Sequence, residues 1–166
     1  YISVQIGIGG YQPFKSGEVH EKKFGDCKGL SFYTQSLLEL FEIKSYYTLV
    51  NAGESVKELN ENFSDGRFNH AILTVPIEND TIFLECTSQT NPFGYAGKFT
   101  GNRKALLISG EKSKIINTIK YDVADNRQIT KVNIVLDLNQ TSASIRMNKK
   151  FKGTEIEYEN FLYQYQ

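Results

Sequence analysis

Residues 68–86 read FNHAILTVPIENDTIFLEC, two apolar and largely β-branched runs, Phe68–Ile77 and Thr81–Cys86, on either side of a polar Glu78-Asn79-Asp80 turn. Runs of this kind bounded by turn residues read as paired strands, and their nearly unbroken apolarity puts the hairpin in the centre of a sheet. Two residues interrupt the pattern: His70 near the start of the first run and Glu85 near the end of the second. Antiparallel pairing makes those two ends neighbours. An imidazole or carboxylate buried without a partner costs about 2 kcal/mol or more, and one hydrogen bond between the two resolves both. It would also fix the imidazole tautomer and stabilise an imidazolium. The bland readings are a satisfied core histidine and a solvated strand-end glutamate.

Working outward to the N-terminal side, Leu30, Tyr33, Leu37, Leu38 and Phe41 recur at three- and four-residue steps and line one face of a helix from Cys27 to about Phe41. Asp26 is its natural N-cap, which places Cys27 at the first helical position. A shorter helix is expected from Ser16, as N-cap, through Lys23, with Gly25 placed to stop it and His20 solvated on its surface. Ser45–Val50 reads as a strand, and residues 51–67 as a loop or short helix. The glycines of Tyr1–Tyr11 suit a loop; Gly7-Ile8-Gly9 is not followed by the spacing of a nucleotide-binding turn.

On the C-terminal side comes a loop containing Pro92, Gly94, Gly97 and Gly101, then a strand-like Lys104–Ile108. From Ile115 polar and apolar residues alternate, in Ile129–Leu138, Ser142–Met147 and Gly153–Tyr158, the texture of half-exposed antiparallel strands. The whole reads as an α+β chain, with one core at residues 1–110 and a β-rich extension at 111–166.

Composition removes several function classes. Nineteen basic residues balance nineteen acidic ones, so there is no overall electrostatic footprint for nucleic acid or an anionic membrane. No apolar run approaches the roughly 20 residues of a membrane-spanning helix. Cys27 and Cys86, the only cysteines, lack the paired spacing of a structural zinc site; no metal and no cofactor is expected. The opening Tyr1-Ile2-Ser3-Val4 has no initiator Met or signal core, so the chain is expected to be a fragment.

A cysteine in the first turn of a helix faces unpaired N–H groups and the positive end of the macrodipole, which favour thiolate over thiol. The thiolate is the nucleophile of covalent catalysis, so Cys27 with His70 and Glu85 forms a candidate nucleophile, base and orienting acid. Cys86, next to Glu85, points to the opposite face of its strand. The plain alternative is a buried structural cysteine.

Gly25-Asp26-Cys27-Lys28-Gly29, Phe68-Asn69-His70-Ala71 and Phe83-Leu84-Glu85-Cys86-Thr87-Ser88 together resemble the three signatures of the transglutaminase-like superfamily. The likeness is to domains of bacterial envelope proteins that carry this core between two β-rich domains of unknown function. The resemblance departs at Glu85, where the family usually has Asp, and at Cys86, where it has Pro. It implies a papain-like core, with a nucleophile-bearing helix packed on an antiparallel sheet, and acyl transfer on a protein or peptide substrate through a Cys27 thioester. It also implies export to the periplasm or cell surface, flanking domains in the same polypeptide and no membrane insertion by this segment. The backbone N–H of Cys27 would be one oxyanion donor, and Gln12, on polarity and position alone, is the candidate for the second. The competing function is an inactive module of the same fold that binds or scaffolds.

Overall fold

Asp26 decides where the main helix begins. Its carboxylate accepts the Gly29 N–H at 2.8 Å, taking one of the donors a helix start leaves unpaired. The structure, a computed structural model, describes residues 10–53, 59, 66, 68–137, 139 and 141–157. The Gly7-Ile8-Gly9 run, most of the 51–67 segment and the end of the expected Gly153–Tyr158 strand lie outside the described residues. Contacts divide the chain into two units, Tyr1–Lys120 and Tyr121–Gln166.

The first unit opens with α1 (Ser16–Lys22) and α2 (Cys27–Leu40). Lys15 rather than Ser16 occupies the cap position of α1, without a side-chain cap bond; the Ser16 hydroxyl pairs instead with that of Ser36 at 2.7 Å. The helix stops at Lys23, which takes the left-handed conformation at φ 60°, so Gly25 is not the stop.

In α2 the buried residues are Cys27, Lys28, Gly29 and Ser31, whereas Leu37 and Phe41 of the expected apolar stripe stay exposed. Polar satisfaction explains the preference. Ser31 is fully buried and its hydroxyl donates to the Ala71 carbonyl at 3.1 Å, so a small side chain brings the helix close to the sheet at no cost in orphaned groups.

The sheet contains β1 (Tyr46–Val50), β2 (His70–Ile77), β3 (Asp80–Leu84), β4 (Lys104–Leu107) and β5 (Lys114–Asn117) in the order β3-β2-β1-β4-β5, with every neighbouring pair antiparallel. The hairpin read from the sequence is β2 and β3, turning at Glu78 and Asn79; it does not lie at the sheet's centre as its apolarity suggests, because β3 is an edge strand and only β2 is interior. Strand alternation separates two apolar clusters. Leu49 and Ala71 pack with Cys27, and Val50, Ile72, Phe83 and Ala105 pack together.

Between β3 and β4 a four-residue helix, α3 (Gly97–Thr100), occupies what the sequence reads as loop. It ends at Gly101, where a Cβ would stand 2.3 Å from the Gly97 carbonyl oxygen. Because β5 pairs with β4 from Lys104↔Asn117 to Leu107↔Lys114, residues 114–117 belong to this first sheet. The sequence boundary after residue 110 and the contact division after Lys120 therefore differ by this strand and its flanks.

The second unit holds a hairpin of β6 (Arg127–Asp137) and β7 (Ser142–Lys152), then a 3-10 turn at Gly153–Ile156. That turn stands where the sequence pattern predicts a strand. Gly153 has φ +66°, and a Cβ there would meet the Asn126 side-chain oxygen at 2.3 Å, so the chain leaves β7 by a bend that only glycine fits. Among the described residues no helix is long and apolar enough to cross a membrane.

Candidate active site

Three elements converge on one imidazole. His70 is the first residue of β2, paired with Val50 of β1, and is 6% exposed. Glu85 follows directly after β3, and the β2–β3 register brings it alongside the start of β2. Its Oε2 lies 2.8 Å from His70 Nε2, and both side chains are 5% exposed. The other carboxylate oxygen, Oε1, accepts from the Thr87 N–H at 3.0 Å and from the Thr87 hydroxyl at 2.5 Å. Both oxygens of the buried acid are therefore satisfied.

Cys27, 8% exposed and a free thiol, lines the same cleft as the ring and is one of the groups that raise its pKa. Since Glu85 takes Nε2, the nitrogen left for the sulfur is Nδ1. An imidazolium so held can present its Nδ1–H to a thiolate.

The electrostatics are those of a coupled pair. Burial alone would lower the His70 pKa, but interaction with Cys27 and with Glu85, by hydrogen bonding and charge, outweighs it and raises it from 6.5 to about 9. Burial would raise the Glu85 pKa, yet His70, by hydrogen bond and charge, and the two Thr87 bonds hold the carboxyl below its ordinary value. At neutral pH the pair is an imidazolium beside a carboxylate.

The cleft at this point is lined by Tyr11, Cys27, Lys28, Leu49, Phe68, Asn69 and His70 and has a volume of about 20 Å³, room for about one water. Tyr11 closes one side, its hydroxyl donating to the carbonyls of Gly66 at 2.6 Å and Phe68 at 3.3 Å. Lys28 is buried; its ammonium lies 3.2 Å from Asp26 Oδ2 and donates to the Gly10 carbonyl at 3.1 Å. The Tyr47 hydroxyl is buried beneath, without a hydrogen-bond partner among the described residues. Burial, then the nearby charges of Cys27 and Asp26, push its phenol well above the ordinary range.

Cys27, His70 and Glu85 thus stand together, as their pattern in the sequence implies. Gln12 does not join them: it is exposed and does not line the cleft, which its neighbour Tyr11 does. Cys86 faces α2, where it meets Thr34 and Ser31, and burial pushes its thiol up; it lies on the other face from Glu85. His20 is exposed, its Nδ1 2.8 Å from the Tyr33 hydroxyl.

Sequence reasoning gave no role to Thr87, Phe99 or Asn69. The Phe99 ring meets the His70 ring with centroids 5.1 Å apart and planes at 68°. The Asn69 side chain accepts from the Ala52 N–H at 2.6 Å and donates to its carbonyl at 2.9 Å. Thr87, two residues after a carboxylate, carries the one local signal, since hydroxyl residues at that offset often bond back. Comparison of the chain with protein-family models, with curated proteins and with solved structures gives no match.

Proposed function

We propose that the chain is a transglutaminase-like cysteine acyl-transfer enzyme with a papain-like core, acting on an amide or peptide bond of a protein or peptide substrate. The observation that carries this reading is the buried His70 ring, held on Nε2 by Glu85 at 2.8 Å, with Cys27 lining the same cleft. Nucleophile, base and orienting acid in mutual contact are the minimum for covalent catalysis by a thiol.

In this mechanism His70 already holds the proton, and Cys27 reacts as the thiolate beside it: the sulfur forms a bond to the substrate carbonyl carbon as the carbonyl π pair moves onto oxygen. The Asp26 cap takes the Gly29 N–H, so the Cys27 N–H is not occupied by it and points from the helix start toward the developing oxyanion. The imidazolium then gives its proton to the leaving nitrogen as the carbon–nitrogen bond breaks. Water or a second amine attacks the thioester, its proton moving to His70, and the collapse of that intermediate breaks the carbon–sulfur bond and restores the thiolate beside the imidazolium. The products are an acid or a new amide.

Hydrolysis and amine-incorporation assays on generic protein substrates test the proposal. Activity is expected, with Cys27→Ala removing it and iodoacetamide labelling of Cys27 slowed by His70→Ala. Labelling indifferent to His70→Ala, with no turnover sensitive to Cys27→Ala, would overturn it. The narrow cleft, about 20 Å³, favours a second reading, an inactive module that binds or scaffolds; turnover lost in Cys27→Ala removes that one.

A further inference from the structure

At four residues, α3 is too short for its own hydrogen bonds to hold it, and what fixes it is Arg103. Among the described residues the guanidinium donates to main-chain carbonyls: Nε to Gly101 at 3.0 Å, Nη1 to Asn51 at 2.8 Å and to Gly53 at 2.9 Å, and Nη2 to Lys98. The Gly53 N–H in turn donates to the Phe99 carbonyl at 3.0 Å. The segment after β1 and the short helix are thereby tied to one side chain. On the far side the Thr118 hydroxyl donates to the Thr100 carbonyl at 2.7 Å. What the tied helix presents is Phe99, 51% exposed and therefore not a core residue, with its ring against the imidazole of His70.

We propose that Arg103 is a positioning residue of the Cys27–His70–Glu85 site: by clamping α3 it sets the Phe99 ring against His70 and so fixes the plane in which the imidazole meets sulfur and carboxylate. A planar fork of five N–H donors can span several carbonyls at once, whereas a lysine ammonium carries its donors on a single point. The inference rests on reading that constellation as an acyl-transfer site, but its spectroscopic signature needs no turnover.

The experiment is proton NMR of the histidine ring resonances in the full 166-residue chain, which has only two histidines. His20, beside Tyr33, is the internal control. Phe99→Leu is expected to remove a ring-current shift from the His70 resonances, Arg103→Lys and Arg103→Gln to move them the same way, and Phe99→Tyr to leave them in place, with His20 unchanged throughout. Iodoacetamide labelling of Cys27 is expected to slow on the order of tenfold in both Arg103→Lys and Phe99→Leu, and the double variant to be no slower than Phe99→Leu, because both act through one contact.

A folded Arg103 variant whose His70 resonances coincide with the parent's, or a double variant whose effects add, overturns the proposal. Should neither Arg103 variant fold, Gly101→Ala displaces α3 by a clash with the Gly97 carbonyl, and unmoved His70 resonances there overturn it equally. A chain inert toward amides that still shows these shifts sinks the enzymatic reading and leaves the positioning of His70 standing. An active chain with unmoved resonances does the reverse.

Discussion

His70 holds its proton more tightly in the folded chain than in the unfolded one, and this has a measurable consequence. With a folded pKa of about 9 against 6.5, the stabilisation is fully present below pH 6.5 and is lost as the pH rises from there through 9. Glu85 works in the opposite sense. Its lowered pKa gives stability that is present above the ordinary glutamate value and lost as the pH falls through the folded one. Urea unfolding is expected to show a decline of about 1 to 3 kcal/mol between pH 6.5 and 9, and His70→Gln is expected to flatten it. In the assay for turnover, Glu85→Gln should lower kcat/KM by roughly a hundred- to ten-thousand-fold. Glu85→Asp should fall between, because the side chain that now reaches Nε2 at 2.8 Å is shortened by one methylene. These residues were legible in the sequence because each is a polar interruption in an apolar run. Tyr11, Phe99 and Arg103 were not, since the conformations of their loops leave no periodicity, and a ring or guanidinium there has no visible partner until the chain is folded.

At the scale of elements, α2 is held at both ends of its buried stretch by polar groups. Asp26, 1% exposed, both caps the Gly29 N–H and faces the buried Lys28 ammonium. Asp26→Ala removes the cap and takes a buried countercharge from Lys28, an expected loss of about 2 to 4 kcal/mol in denaturant unfolding. Asp26→Asn keeps a cap acceptor and is expected to lose less than half as much. The existence of α2 and its first residue followed from spacing and the Asp26-Cys27 pair, and so did the β2–β3 hairpin. The buried side of α2 did not follow: periodicity weighs Leu37 and Phe41 as apolar, but Ser31 wins the sheet by donating to Ala71. The short helix α3 and the turn at Gly153–Ile156 escaped for another reason. Their making depends on a hydrogen bond donated by Arg103 and on one that Asn126 accepts from the Thr154 N–H, which propensity does not register.

At the scale of the whole chain the two units divide the chemistry unequally, for the candidate site lies entirely within Tyr1–Lys120. A chain ended at Lys120 is therefore expected to unfold cooperatively and to keep the His70-dependent labelling of Cys27; a loss of that dependence would place part of the site's support beyond Lys120. The second unit sorts its side chains by the β6–β7 register. Val132, Ile134, Leu136, Ile145 and Met147 share one face and are all more than 40% exposed, while Arg127, Lys131, Arg146, Lys150 and Lys152 share the other. The apolar residues at 132, 134 and 136 imply such a face from spacing alone, although Ile129 and Val135 fall on the other, whereas the paired strands 104–107 and 114–117 needed the register to be assigned to one sheet. One detail of the first unit bears on how it comes apart. Strand ends fray first in native proteins, and His70 is the end residue of β2. Beyond it the Asn69 amide copies a backbone rung, bonding both the N–H and the carbonyl of Ala52, so the last ladder pair is not the last pair of bonds. The Ala52 amide proton should accordingly exchange with solvent as slowly as those of the central strands, and heat inactivation should coincide with global melting: the imidazole leaves its place only when the sheet itself opens.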